Sequence, residues 1–414
     1  MKSSISKKIV QSMVEDKFLQ KTIKKIEKTI DKKLGKLSRN YIFKDEPIKN
    51  NKILMLTQQG DYTCNEKFIT QELLEEDVDC EIVWGLRKEQ MIKSYELPHD
   101  SRVRMVQRFT YDFYKELSSC KILIINAIDP YKAPIRKKVG QYVIQTWHGS
   151  LGIKRFDKNS FNGSEWVKAA ILCGKETDFC ISNSEFEDNI YKDTYWENTP
   201  ILRYGHPRND IFFWNDDKKS KIINNIRKKY HLSAGKRYIL YAPTFRDNHR
   251  FDCYNIDYEH LIEACKKKFG GDWGVLVRFH LNVRRFAQNV LKGNSNIVDV
   301  TDYPDIQELM LLADLGITDY SSWIYDFILT KKPGFIFATD LTEYNNERGL
   351  CYKLEETPFP IASTNDKLLK NIELFDLASY QEKVNEFLVG KGCIDDGKAS
   401  FRTVQKLKEI MGEH

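Results

Sequence analysis

Four short stretches put side chains able to move protons or hold phosphate at the ends of strand-like runs. The first is Trp147-His148-Gly149-Ser150, with Lys154 and Arg155 close behind, after an apolar run at 142–146. A histidine there can take a proton from a substrate hydroxyl at neutral pH, and Gly149 allows close backbone approach. A histidine hydrogen-bonded into its own turn fits the same residues equally well. The second stretch is Ala242-Pro243-Thr244-Phe245-Arg246-Asp247, after a run at 238–241. Arg246 offers a planar fork suited to phosphate, or an ion pair with the neighbouring Asp247. The third, Arg278-Phe279-His280, ends a run at 273–279. Side chains alternate along a strand, so only one of the two polar residues shares the cleft face. His280, at the very end, is the cleft candidate, and Arg278 reads as a solvated or paired charge. The fourth runs from Leu315 through Thr318-Asp319-Tyr320-Ser321-Ser322 to Asp326 and Phe327. It suggests a buried strand turning into a helix, with Trp323, Ile324, Phe327 and Ile328 at helical spacing. A serine before such a run is a good cap, and the unpaired N–H groups with the helix dipole make a natural seat for an anion. A plain strand-to-helix turn has the same appearance.

There is no P-loop, no GxGxxG and no nucleophile elbow in the chain. Taken together, the stretches describe a pocket for a phosphorylated or nucleotide-bearing ligand, with an acid/base histidine in each half. The elements that would position it alternate. Strands are expected at 52–57, 80–84, 122–126, 142–146, 179–183 and 201–204, with helices at 65–76 and 166–173 and Ser184 as a cap. After Gly205-His206-Pro207-Arg208-Asn209-Asp210 the pattern restarts. A Lys-rich helix at 218–229 precedes strands at 238–241, 273–279, 297–299, 315–317 and 333–338. Helices at 258–269 and 306–313 lie between them, and the chain is helical from 368 onward. Such alternation predicts parallel sheets covered by helices on both faces. Two successive halves predict twin Rossmann-like domains whose facing strand ends enclose one cleft. The expected division is 1–46, a basic amphipathic segment; 52–205 and 206–385, the two α/β domains; and 386–414, a helical tail.

The basic segment carries most of the charge asymmetry. Residues 1–40 hold 12 Lys/Arg against four acids, while the rest of a chain with net charge +6 is slightly acidic. Val14, Phe18, Leu19, Ile23, Ile26, Ile30, Leu34 and Leu37 form a stripe on one helical face, with lysines over most of the remainder. That pattern suits an anionic membrane surface, where each cation near the lipid contributes roughly 1 kcal/mol. Docking on the protein body or on a second copy is the alternative; no nucleic-acid module follows, so no nucleic acid is expected as a partner. The 414 residues are 41% hydrophobic, enough for two sizeable cores, and contain neither a run long enough to span a membrane nor a signal peptide. Nine scattered cysteines without a C-x-x-C pair read as reduced thiols of a cytoplasmic protein. No metal-ligand cluster is evident.

Trp147-His-Gly, Gly205-His-Pro-Arg-Asn-Asp, Tyr241-Ala-Pro-Thr-Phe-Arg-Asp, Arg278-Phe-His and Thr318-Asp-Tyr-Ser-Ser-x-x-x-Asp326-Phe, in that order, resemble the motifs of the CDP-glycerol glycerophosphotransferases. These are teichoic-acid primases and polymerases, with relatives in capsule synthesis, and the likeness spans roughly residues 52–375. The resemblance implies a GT-B fold and transfer of a polyol phosphate from a CDP-polyol to a hydroxyl of a lipid-linked acceptor or growing polymer, releasing CMP. It implies no cofactor beyond the donor. By motif, His148 would be the general base and His280 would sit at the phosphates and assist the leaving CMP. Thr244, Arg246, Ser321 and Ser322 would hold the pyrophosphate. Asp326 and Arg208 would complete the donor site, Asp326 either orienting its loop or touching the ribose. Two positions depart from the usual pattern: Leu281 where proline commonly follows the second histidine, and Ser150-Leu151 where Thr-Pro commonly follows His-Gly. CDP-ribitol as donor, a nucleotide-sugar glycosyltransferase and a non-catalytic polymer-binding protein are the rival expectations.

Overall fold

The structure is a computed structural model that describes residues 43–91, 97–128, 137–152, 154–156, 164–244, 254–279, 295–341, 343–344 and 351–412. The expected N-terminal amphipathic helix, Arg246 and His280 lie outside the described residues.

Strands β1 (Lys49–Leu56), β2 (Glu81–Leu86), β3 (Val103–Gln107), β4 (Cys120–Ile125), β5 (Tyr142–Gln145), β6 (Phe179–Ser182) and β7 (Ile201–Arg203) form one sheet. Their order is β3-β2-β1-β4-β5-β6-β7, and the paired neighbours all run parallel. Apolar residues run continuously along β1, β2 and β4 because both faces of the sheet are covered. Ile53, Met55, Ile82, Trp84, Ile122 and Ile124 pack into one core, while their neighbours Leu54, Leu56, Val83, Leu123 and Ile125 pack into another. That division is the two-residue period of a strand expressed as two separate hydrophobic layers. Helices α1 (Cys64–Glu75), α2 (Tyr111–Ser119), α3 (Ser164–Glu176) and α4 (Glu185–Asp193) alternate with the strands. The α2 and α4 N-termini are capped by Thr110 and Ser184, whose side chains accept from Phe113 and Glu187 N–H, the latter as expected.

The second sheet, β8 (Lys236–Tyr241), β9 (Asp272–Val277), β10 (Ile297–Asp299), β11 (Leu315–Thr318), β12 (Gly334–Phe337) and β13 (Ile361–Ala362), has the order β10-β9-β8-β11-β12-β13, again all parallel. Its helices are α5 (Asp216–Lys229), α6 (Tyr258–Phe269), α7 (Ile306–Leu312), α8 (Trp323–Phe327), α9 (Asn365–Glu373) and α10 (Leu377–Gly390), and α11 (Ala399–Met411) follows them. Both sheets follow the doubly wound 3-2-1-4-5 pattern, reversing direction between β1 and β4 and between β8 and β11. Ligands of such sheets gather beyond the carboxyl ends of the strands at these reversals.

The helical end of the chain does not behave as one tail. Tyr380, Val384 and Phe387 of α10 belong to the second domain's core, and residue 386 falls inside that helix. The following α11 crosses back, burying Val404 and Leu407 against Ile53, Ile82 and Trp84 under the first sheet. This return ties the two domains together and completes a GT-B architecture.

Candidate active site

The site is built where the two reversals face each other. At the first, β5 ends in a loop whose Trp147 has φ +50, a left-handed conformation that costs a non-glycine residue roughly 1–3 kcal/mol. Several bonds hold it there. Its N–H donates to Gln145 Oε1 at 2.9 Å, and its carbonyl accepts from Asn65 Nδ2 at 3.1 Å. Phe156 stacks on its ring at 5.0 Å. The kink presents the half-buried His148, whose Nδ1 lies 2.6 Å from the Asn126 carbonyl at the end of β4. A carbonyl only accepts, so Nδ1 carries the proton and Nε2 keeps its lone pair. Burial, with further help from the nearby Arg208 and Lys154 charges, pushes the imidazole down from 6.5 to about 4 despite that hydrogen bond. His148 is therefore neutral at physiological pH, in the tautomer a base requires.

At the second reversal, β8 and β11 pair side by side and their following loops are sewn together. Thr318 Oγ1 and Trp323 Nε1 both donate to the Ala242 carbonyl, at 2.7 and 2.8 Å. The Asp319 carboxylate accepts from the N–H groups of Thr244, at 2.8 Å, and of Tyr320. Thr244 thus sits beside the Ser321–Ser322 corner. The expected serine cap does not form. Ser322 stands at the cap position with helical φ and ψ and no capping bond, because the chain is already turning helically there. The helix it opens, α8, is only five residues long, which leaves little dipole to attract an anion. What the corner offers instead is two half-exposed hydroxyls, Ser321 and Ser322, neither spent on a hydrogen bond within the described protein.

Arg208 and Asp326 are brought together, but with each other. Arg208 Nε donates to Asp326 Oδ2 at 2.9 Å and its Nη2 to the Gly149 carbonyl at 2.6 Å, both side chains being buried. Asp326 also accepts from Asn209 and Gln307, each at 3.2 Å. All of these contacts of Asp326 are within the protein, the arrangement its orienting role requires. Arg208 spends its fork on that carboxylate and on the His148 loop, so the pair is a strut joining the domains. The rest of the Gly205–Asp210 motif is used likewise. His206 Nε2 meets Glu187 at 3.0 Å in a fully buried contact, and its N–H donates to Asp395 at 2.7 Å. Asp210 accepts the Ala399 and Ser400 N–H groups that open α11, at 3.0 and 2.7 Å. Each of the side chains His206, Arg208, Asn209 and Asp210 joins one segment to another.

Arg278 reverses its expected assignment. It is half-buried, and among the described residues its guanidinium reaches the Tyr303 and Pro304 carbonyls, at 3.2–3.4 Å, with no carboxylate within ion-pair distance. Burial lowers its pKa, while the charges of Asp305 and of Asp61, which follows β1 across the cleft, pull it partly back. It is a half-buried cation held by carbonyls and, among the described residues, not by a direct ion pair. Sequence reading gave no role to Asp319, although it lies inside a quoted motif, and passed over Asn65, Glu66 and Asn126, common polar residues with no motif spacing to find them by.

Two doubly wound domains, with His148 held by the Asn126 carbonyl at one reversal and hydroxyl and cationic groups at the other, define a GT-B protein. The chain belongs to the CDP-glycerol:poly(glycerophosphate) glycerophosphotransferase family, which it matches over residues 38–409. It is 31% identical to a teichoic acid poly(glycerol phosphate) polymerase of Staphylococcus epidermidis over 71% of its own length, a match that spans only 42% of that longer protein. It is 29% identical to a teichoic acid glycerol-phosphate transferase of Staphylococcus aureus, covering 84% of this chain and 90% of the relative. Ribitol-phosphate polymerases also match, one from S. aureus at 26% identity over 89% of the chain and 72% of that relative. Among solved structures, the wall teichoic acid polymerase TagF superposes with a TM-score of 0.77 at 26% identity, covering 95% of this chain and 98% of that one.

Proposed function

We propose that the chain transfers glycerol phosphate from CDP-glycerol to a hydroxyl of a lipid-linked acceptor or a growing teichoic-acid-type polymer, releasing CMP. One observation carries the reading: a half-buried, neutral His148 whose Nδ1–H is tied to a carbonyl, leaving Nε2 as a base where the two domains meet. Nε2 takes the proton of the acceptor hydroxyl as its oxygen bonds to the phosphorus bearing glycerol. The bond from that phosphorus to the oxygen of the cytidine phosphate breaks, and CMP departs with the electron pair. The resemblance keeps His280 at the phosphates, assisting that departure, and Arg246 holding the pyrophosphate. The Ser321 and Ser322 hydroxyls, the Thr244 loop and Arg278 face the phosphates as donors and charge, and catalysis is mainly positioning and electrostatics. In this reading Arg278 takes the anion-binding place expected of Arg208, and no cofactor beyond the donor is called on. The glycerol-phosphate polymerase and transferase among its relatives support it, as does the TagF histidine-to-asparagine variant soaked with CDPG.

A CDP-ribitol donor is the second reading, favoured by the ribitol-phosphate polymerases among the relatives. The chain acts at the cytoplasmic face of the membrane, held peripherally by the basic segment 1–40; among the described residues no helix is long and apolar enough to cross a bilayer. The test is nucleotide release from CDP-glycerol, CDP-ribitol and UDP-sugars in the presence of a lipid-linked acceptor. CMP from CDP-glycerol supports the first reading and CMP from CDP-ribitol alone the second. UDP release would identify a glycosyltransferase, and donor binding without any turnover a binding protein.

A further inference from the structure

The carboxyl group of Glu66, in the first turn of α1, lies at the centre of the loops that shape the base. Asn126 Nδ2 donates to Glu66 Oε2 and Thr146 Oγ1 to Glu66 Oε1, both at 2.9 Å. The three side chains are buried, at 0–1% exposure. Asn126 provides the carbonyl that holds His148 Nδ1, and Thr146 precedes the kinked Trp147. The Asn126 side chain is itself fixed at its other end, its Oδ1 accepting from Gln58 N–H at 2.7 Å in the loop after β1. Next to Glu66, Asn65 donates to the Thr146 and Trp147 carbonyls, at 3.2 and 3.1 Å, and accepts the Arg208 N–H at 3.2 Å. One helix turn therefore grips the ends of β4 and β5 together, the two backbone positions on which the orientation of the imidazole depends.

We propose that Glu66 is the positioning residue of the catalytic base: by bridging Asn126 and Thr146 it fixes the carbonyl that sets the tautomer and ring angle of His148. The inference rests on the reading of His148 as the base. No proton passes to Glu66, because the group between them is a carbonyl, so the role is purely geometric. A buried carboxyl here can work without charge. Burial pushes it up to about 8, so at neutral pH it is largely protonated. In that form Oε2 accepts from Asn126 while the Oε1 hydroxyl donates to Thr146 Oγ1, whose own proton turns to the Ile125 carbonyl at 3.3 Å. Arg208 from the interdomain strut, Arg108 from the loop after β3 and Cys64 on its own helix are the ionisable groups whose charge Glu66 senses. Glutamine has the same shape and the same pair of functions, one acceptor and one donor, whereas alanine leaves Asn126 and Thr146 without partners.

The test compares Glu66→Gln, Glu66→Ala, Thr146→Val and His148→Ala in the full-length chain, measuring kcat and KM for CDP-glycerol and the 15N shifts of the His148 ring. Glu66→Ala is expected to lose about tenfold or more in kcat with KM nearly unchanged, a part of the 10²–10⁴ that a well-placed base supplies. Glu66→Gln is expected to stay near wild type. The ring nitrogens should move from a single Nδ1–H tautomer toward a mixture in the alanine variant only. Should Glu66→Ala not fold, Thr146→Val, which removes one hydroxyl and keeps the shape, is expected to give the same kcat-selective loss. Wild-type kcat in a folded Glu66→Ala or Thr146→Val, or equal impairment of Glu66→Gln and Glu66→Ala, overturns the assignment. If His148→Ala itself retains activity, the base reading fails first, and Glu66 falls with it.

Discussion

At the scale of single residues, protonation and pairing decide what each group can do. His148 is depressed to about 4 by burial, so it loses its proton well below the usual 6.5. As a base it is active when neutral, so the acid limb of kcat/KM should fall near pH 4 to 5, with activity flat across pH 6 to 7. An acid limb near 6.5 would mean that the imidazole is solvated in the working enzyme. Asp326 makes the opposite kind of prediction. Removing one partner of a buried ion pair typically costs about 3–5 kcal/mol, because the other charge stays buried alone. Asp326→Ala should therefore lower the denaturation midpoint strongly. A folded, equally stable variant with a raised KM for the donor would instead make Asp326 a ligand contact. The types and spacing of His148, Thr244, Ser321 and Ser322 made the site legible in the sequence. The partner of Arg208 was not legible, since the two members of that pair are 118 residues apart and either could as well have met a ligand.

At the scale of elements, legibility followed the strength of the local pattern. The periodic, capped α6 appears at the residues expected, with Asp257 capping its start. The edge strand β3 and helix α2 were passed over. In β3 only Val106 is fully buried, and Arg104 and Gln107 interrupt the apolar pattern that marks interior strands. The two-residue β13 carries too little pattern to be seen at all. Ser322 shows the limit of capping rules, for a residue already in helical geometry cannot turn its hydroxyl back onto the first turn. Between elements, the loop after His148 approaches α8 so closely that a Cβ on Gly152 would lie 2.2 Å from the Tyr325 ring. Gly152→Val should force the cleft walls apart, costing about 1–3 kcal/mol by overpacking and lowering kcat by displacing the base. Unchanged stability and rate would show that the loop moves freely away from α8.

At the scale of the whole molecule, the domains are joined by buried polar contacts and by the crossing of the chain's end. Lys67 of α1 reaches Asp305 and Glu308 of the second domain, both at 2.6 Å, beside the Arg208–Asp326 strut. Alternating strands and helices were enough to predict twin Rossmann-like domains, because that inference needs only local periodicity and order. The return of α11 to the first sheet was not, since nothing local in an amphipathic helix says which of two cores it completes. Its Val404 and Leu407 are fully buried there, and Asp210 caps its first turn. Ending the chain after Lys398 should expose that apolar face and yield aggregated or unfolded protein. A soluble truncated chain with native melting behaviour would mean that α11 contributes little to the first domain.

The central claim is that His148 removes the acceptor's proton during glycerol phosphate transfer, and it is tested most directly by CMP release from CDP-glycerol with a lipid-linked acceptor, wild type beside His148→Ala. A loss of about 10²-fold or more in kcat, with donor binding retained, is the result predicted. Near-full CMP release by the variant would contradict the mechanism.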